Sequence, residues 1–324
     1  MPPLRWSPPT RDDNAEWADL LAVMEGVDER GETYELADLD DEWESIWSHP
    51  ETDAVFVWQG AQLVGFAWLK TTVGQREAHR IGCWGGVRPS HRRRGIGTEL
   101  FAWTLRRATE IAGTLDGALP TKVNIDAADH QHDLLAVATA AGFEPVRLFL
   151  ELARLVGLPT TSVDPSIGLE LVPWSEDLDE ATRLAQVEAF ADHWGSEPRT
   201  QEEWRQWYTG HRAFRPDLSV LAVDAASGEV VSFVLCAAYP QDWTIVPREA
   251  WINTVGTRRG WRSKGVARWL LNDSLDRIAA SDTGFERAIL GVDAENPTGA
   301  LHLYRSLGFE DVRSVTNLSR PPLG

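Results

Sequence analysis

The chain has little cysteine, no long apolar run and a shortage of positive charge, and each lack removes a class of function. Only two cysteines occur in 324 residues, Cys83 and Cys236, one in each half and each within an apolar strand-like run. Thiols so placed read as buried core rather than a disulfide framework, and they suit a reducing cytoplasm. The longest apolar stretch, near Val230 to Tyr239, is too short to cross a bilayer and reads as a buried strand. The segment Met1 to Trp6 lacks the apolar core of a signal peptide. Lysine and arginine number 31 against 49 aspartate and glutamate, a formal charge of -18. That balance argues against nucleic acid or an anionic membrane as the main partner. His130 and His132 have no partner ligands at metal spacing, so no metal site is expected. Tryptophan, by contrast, is abundant, with sixteen residues expected mostly in the core or between lobes.

What is present is a duplication. Gly157 to Ser166 has linker composition at mid-chain, and the order of elements repeats on either side of it. Acidic helical stretches (Asn14 to Met24, Leu178 to Ala191) precede hairpins (Ala54 to Lys70, turning at Gln59-Gly60, and Ser219 to Ala238, turning at Ser227-Gly228). A further strand follows in each half, Arg80 to Arg88 and Ala250 to Arg258. Next comes a basic, glycine-containing hexad, Arg92-Arg93-Arg94-Gly95-Ile96-Gly97 or Arg262-Ser263-Lys264-Gly265-Val266-Ala267. The helices after the hexads match in their apolar positions, with Leu100, Phe101 and Leu105 corresponding to Leu270, Leu271 and Leu275. Another strand (Val123 to Ala127, Leu290 to Ala294) and a short helix then end at Gly142-Phe143-Glu144 and Gly308-Phe309-Glu310. The pattern predicts an α/β protein of two complete domains, 1–158 and 166–324.

The hexads carry the chemistry. Glycine at a strand-to-helix turn lets the backbone approach a ligand closely and aim consecutive N–H groups at an anion. The positive end of the following helix adds a fixed partial charge. An acidic chain that builds this cationic turn twice points to a phosphate-bearing small molecule.

Both hexads fit Arg/Gln-x-x-Gly-x-Gly/Ala, and with their flanking strands and Gly-Phe endings the chain resembles a tandem GNAT-superfamily N-acetyltransferase over nearly its whole length. Among tandem members, its length and layout are similar to the mycothiol synthase type. The resemblance implies two tandem GNAT-type domains, each a mixed, mostly antiparallel sheet flanked by helices. It implies acetyl-CoA as cofactor, with its pyrophosphate held by backbone amides of Arg93, Arg94, Gly95, Ile96, Gly97 and Thr98, and of Ser263, Lys264, Gly265, Val266, Ala267 and Arg268. Gly85, Gly86 and Val87, and Val255, Gly256 and Thr257, would flank the pantetheine arm. Arg92, Arg93, Arg94, Arg262 and Lys264 would screen the charges of coenzyme A.

The same resemblance separates the lobes. A Tyr four residues before Gly-Phe often protonates the departing thiolate in this superfamily. The second lobe has Tyr304 there, and the first has Ala138, which has no proton to give. Asn296 matches an Asn that commonly contacts coenzyme A, and its first-lobe counterpart is Asp129 or His130. The second lobe is therefore expected to be catalytic and the first degenerate. Amine acetylation also needs a base. The mycothiol synthase type has a strand Glu where this chain has Trp251. Glu249, two residues earlier on the same strand face, either acts through a water or is a solvated edge charge. Asp192 and His193 are a second candidate pair. The Trp251 departure implies a paralogue acting on another small-molecule amine, as a monomer or a homodimer.

Overall fold

The computed structural model describes residues 3–161, 165, 168–296 and 298–323. Met1, Pro2 and Pro297 lie outside the described residues, as do Ser162, Val163, Asp164 and Ser166 of the expected linker. The chain forms two compact units, residues 1–148 with 314–324, and residues 149–313.

The first unit runs β1 (Leu4–Ser7), α1 (Asn14–Asp28), α2 (Leu36–Trp43), α3 (Pro50–Asp53), β2 (Ala54–Gln59), β3 (Gln62–Thr72), β4 (His79–Val87), α4 (Ile96–Ala112), β5 (Thr121–Ala128) and α5 (His132–Ala140). Then β6 (Glu144–Leu155) begins, and it passes into the second unit at residue 149. The second unit continues with β7 (Leu169–Pro173), α6 (Asp179–Ala189), α7 (Gln201–Trp204), β8 (Val220–Asp224), β9 (Val230–Ala237) and β10 (Glu249–Thr257). It ends with α8 (Val266–Ala280), β11 (Arg287–Asp293), α9 (Ala300–Ser306) and β12 (Glu310–Arg320), whose last residues belong to the first unit. In each unit a short strand, β1 or β7, precedes the acidic helix where the sequence pattern begins.

Both sheets are mixed. Antiparallel pairs join β1 to β2, β2 to β3 and β3 to β4, and β4 then runs parallel to β5. The second unit repeats this with β7, β8, β9 and β10, and with β10 parallel to β11. The sheets bury both faces. In β9, Phe233 and Leu235 pack towards Ala185 of α6, whereas Val231, Val234 and Cys236 join Leu270, Leu271 and Leu275 of α8. This two-sided burial is why the segment reads as an unbroken apolar run. In the first unit, Trp17 of α1 stacks on Trp68 of β3, with ring centroids 4.7 Å apart. Both cysteines are free.

The last strand of each unit comes from the other half of the sequence. Residues 315–320 of β12 pair antiparallel with β5, and residues 149–155 of β6 pair antiparallel with β11. The units thus differ from the sequence boundaries 1–158 and 166–324 at these strands. A backbone ladder has the same chemistry whichever copy supplies the strand. Each exchanged strand also carries an arginine that serves the unit it enters. Arg154 is buried in β6 and donates from Nε to the carbonyl of Leu307 at 2.7 Å and from Nη2 to Leu158 at 2.8 Å and Pro159 at 3.0 Å. Arg320 of β12 likewise donates to Ala141. Leu307 and Ala141 immediately precede the left-handed Gly308 and Gly142, so both arginines clamp the turn after the short helix. Arg154→Met should leave these carbonyls without donors and lower stability by about 2–4 kcal/mol in urea unfolding. A loss below about 0.5 kcal/mol, the range of neutral surface changes, would show that water replaces the guanidinium there.

Candidate functional site

The two turns have the same backbone. Arg93 and Gly95 take left-handed φ values of 61° and 85°, and Ser263 and Gly265 take 60° and 82°. Gly95 and Gly265 are the N-caps of α4 and α8, and neither helix start carries a side-chain cap. A Cβ on either glycine would point into open space, with no atom within 4 Å. The first-turn N–H groups are therefore presented at the positive end of a helix, an arrangement that suits a phosphate.

The strands leading into these turns separate from their parallel neighbours. The ladder of β4 and β5 runs from His79–Thr121 to Gly82–Asn124, and that of β10 and β11 from Glu249–Arg287 to Trp251–Ile289. Beyond these points Gly85–Val87 remain paired to β3, and Val255–Thr257 to β9. The side facing the parallel neighbour is left for a ligand with amides of its own. At Gly256 a Cβ would stand 2.3 Å from Cζ of Phe233, so glycine is required by the close packing beneath the strand.

One expectation is corrected here. Arg92 and Arg262 do not face outward as charge screens. Arg92 donates from Nε to the carbonyl of Val87 at 3.0 Å and clasps Asp28 with both Nη groups at 2.7 and 2.6 Å. Arg262 donates to the carbonyls of Thr257 at 3.2 Å and Ala189 at 2.8 Å. Both tie the turn to the end of its own strand and to the preceding helix. Arg93 is exposed and paired with Asp133 at 2.7 Å, Lys264 lies 4.7 Å over the ring of Trp261, and Arg268 reaches Ser306 at 2.5 Å.

In the second unit Tyr304 stands on α9 in the same apolar cluster as Val266 of the turn, with Val255 packed against it. Burial pushes its phenol up to about 12, so it stays protonated across the neutral range. Asn296 closes an Asx turn ahead of α9, its Oδ1 accepting from the amide of Thr298 at 2.8 Å and its hydroxyl at 2.6 Å. Trp251 faces Tyr239 edge-on at 6.4 Å. Asp192 is clasped by Arg259 at 2.7 and 2.6 Å, and these bonds hold its carboxyl below the usual range. His193 packs against Phe190 with centroids 5.2 Å apart. Asp192 is thus an anchor for the turn that carries Arg259 and Arg262.

Glu249 is buried, and its Oε1 accepts from Nε of Arg287 at 2.6 Å and also from Nη2. It is not solvated, and both bonds from Arg287 fall on one of its two oxygens. Glu249→Gln should lower stability by roughly 3 kcal/mol, because the Arg287 charge loses its partner. It should leave the pH profile of kcat unmoved. Loss of the acidic limb of that profile would instead identify Glu249 as the base.

The first unit holds a cavity of about 600 Å³ within the range of small-molecule sites. It is lined by Gly85, Gly86, Arg93, Gly95, Gly97 and Thr98 of the turn and strand. Ala138 is fully buried on α5, and His130 bonds the carbonyl of Asp28 at 2.6 Å and Asp129 at 3.1 Å. Cys83 opens onto the cavity, and burial pushes its thiol up to about 12, as it does for Cys236, so neither is a thiolate nucleophile. Arg30, Glu32, Tyr34 and Asp126 also line the cavity, and sequence reasoning passed over all four. The first three lie on the irregular connection from α1 to α2, where no periodicity marks a face. Asp126 had one signal: it alternates with core-facing Val123 and Ile125 on a recognised strand.

The fold and paired turns define a two-unit mixed α/β protein with a glycine turn at a helix start in each unit, and comparison with known proteins specifies the class. The acetyltransferase (GNAT) family model matches residues 16–132 and 178–309, and the chain belongs to that family. It is 26% identical over 296 residues to a mycothiol acetyltransferase of Parafrankia sp. (strain EAN1pec), covering 82% of each chain. Among solved structures, its fold is similar to a GCN5-related N-acetyltransferase from Sphaerobacter thermophilus (TM-score 0.76, 24% identity, 100% of this chain and 98% of that one). It is also similar to a tandem GNAT protein from the clavulanic acid biosynthesis pathway (TM-score 0.75, 18% identity, 99% of each chain).

Proposed function

We propose that the protein is an acetyl-CoA-dependent N-acetyltransferase that acts directly on the amine of a small molecule, with the chemistry in the second unit. The observation that carries this reading is the company Tyr304 keeps. A buried, protonated phenol shares one apolar cluster with the start of α8 and the open end of β10. The residues there suit coenzyme A. The uncapped, left-handed turn at Ser263 and Gly265 offers amides to a pyrophosphate, and the free side of Val255–Thr257 offers amides to pantetheine. When bound, acetyl-CoA supplies the acyl group as an activated thioester.

The side chains then have separable tasks. The α8 amides hold the phosphates, β10 lines up the thioester, and Tyr304 delivers its proton to the leaving sulfur. The amine must arrive without its extra proton. Glu249 is held by Arg287 through Oε1, which leaves Oε2 as the oxygen that a role as base would use. An assay of coenzyme A release against polyamines, aminoglycosides and amino acids tests the proposal. Failure of every amine to raise release above hydrolysis would refute it. A second reading, a mycothiol synthase acting on a cysteinyl pseudodisaccharide, is favoured by the similarity to mycothiol acetyltransferases. Adding that acceptor to the panel separates the two.

A further inference from the structure

The cavity of the first unit contains a feature that acyl transfer in the second does not use. Five carboxylates line it, from Glu25, Asp28, Glu32, Asp126 and Asp133. Three are occupied within the protein, Asp133 by Arg93 at 2.7 Å. Glu25 accepts from the backbone amides of Arg30 at 3.0 Å and Gly31 at 2.8 Å, and Asp28 is clasped by Arg92. Glu32 and Asp126 are served less well. Glu32 accepts from the hydroxyl of Tyr34 at 3.0 Å, with Arg30 standing off at 3.7 Å. Asp126 accepts from the neutral amide of Asn317 at 2.7 Å. Arg30 interacts with both and also with Glu25, so one guanidinium is shared among three carboxylates.

These groups converge on one place. Trp84 and Asp126 each lie two residues beyond Gly82–Asn124, the last pair of the β4–β5 ladder, and both line the cavity. Trp84 meets Tyr34 with centroids 5.2 Å apart and Phe66 at 5.1 Å. Leu21, Met24 and Ile125 complete an apolar wall. Asp126 is open to the cavity yet surrounded by protein, and that burial raises its pKa despite the Asn317 bond and Arg30. Burial likewise holds the Tyr34 phenol well above its ordinary value, with Glu32 adding to it. A carboxylate in such surroundings is costly until a cation matches it. Aromatic rings beside it favour an organic cation over a hydrated metal ion.

We propose that this cavity binds an organic cation, a primary ammonium on an apolar or aromatic body, with Asp126 and Glu32 as counter-charges and the Trp84–Tyr34 ring pair as its wall. The first unit is then a ligand-binding unit with its own specificity. The site requires neither acetyl-CoA nor turnover, so its failure would leave the second-unit reading standing.

Phenethylamine is a suitable probe, titrated calorimetrically into the full-length protein without acetyl-CoA, with neutral 2-phenylethanol as the comparison. The expected result is saturable binding of the amine, at least tenfold tighter than the alcohol. Asp126→Asn should weaken it about tenfold or more, and Glu32→Gln, on an exposed residue, several-fold. Thermal midpoints of both variants report the fold, and Glu32→Gln keeps the test decisive should Asp126→Asn fail to fold. No binding at millimolar amine overturns the proposal. So does equal binding of the alcohol, or binding undiminished in the folded variants, which would place the amine elsewhere.

Discussion

Gly265→Glu is expected to weaken acetyl-CoA binding at least 100-fold in calorimetry, a loss of about 2.7 kcal/mol. Two effects combine. Gly265 has a φ of 82°, where a Cβ is strained by about 1–2 kcal/mol. The new carboxylate would project into the open space before the α8 amides, where the phosphates are proposed to sit. Gly265→Ala separates the effects, because it keeps the strain without the charge. Its methyl meets nothing within 4 Å, so binding should fall only a few-fold if the anion site is real. The equivalent Gly95→Glu should spare most turnover, since Ala138 leaves the first unit without the phenol that Tyr304 supplies to the second. Equal loss of activity from Gly95→Glu, with the fold intact, would show that the units are coupled or their roles reversed. Unchanged acetyl-CoA binding in Gly265→Glu would remove the second unit from the proposal.

Tyr304→Phe should lower kcat about 10²- to 10⁴-fold, or about 3 to 5 kcal/mol of barrier, with little change in the KM for acetyl-CoA. The ring packs edge-on against Phe309 at 6.1 Å, and phenylalanine preserves that contact. Among the described residues the hydroxyl has no hydrogen-bond partner, so its removal orphans nothing. Its effect is therefore confined to the moment when charge develops on the sulfur. With the phenol held near 12, loss of the acid should not limit the rate on the alkaline side below about pH 10. A pre-steady-state measurement of the transfer step is the decisive readout, because slow product release would hide the change in kcat. An unaffected transfer step means that Tyr304 is only a core aromatic.

Much of the fold was legible because its signals are local. Gln59-Gly60 and Ser227-Gly228 mark hairpins by turn chemistry, and the apolar spacing of Leu270, Leu271 and Leu275 marks a helix face whatever it packs against. The paired hexads could be seen because the duplication repeats them at the same point in the same order of elements. The roles of individual arginines were not legible. Arg92 and Arg262 look like ligand-facing charges in a basic run, yet they are internal braces, because Asp28 and the carbonyl of Ala189 come from helices more than sixty residues earlier. Glu249 reads as a strand-edge carboxylate until β11 brings Arg287 against it.

The sequence by itself determined the α/β class, the doubled unit, the two glycine turns at helix starts and the asymmetry between Tyr304 and Ala138. All of these depend on residue type and short-range order, which folding cannot alter. The tertiary structure alone decided which half supplies each last strand, which cations are already neutralised, and that the first unit contains a cavity with Asp126, Glu32 and Trp84 around it. Those are facts of long-range pairing. A hydrogen-bond ladder carries no mark of its partner, and a charge is free or occupied only according to what the fold sets beside it.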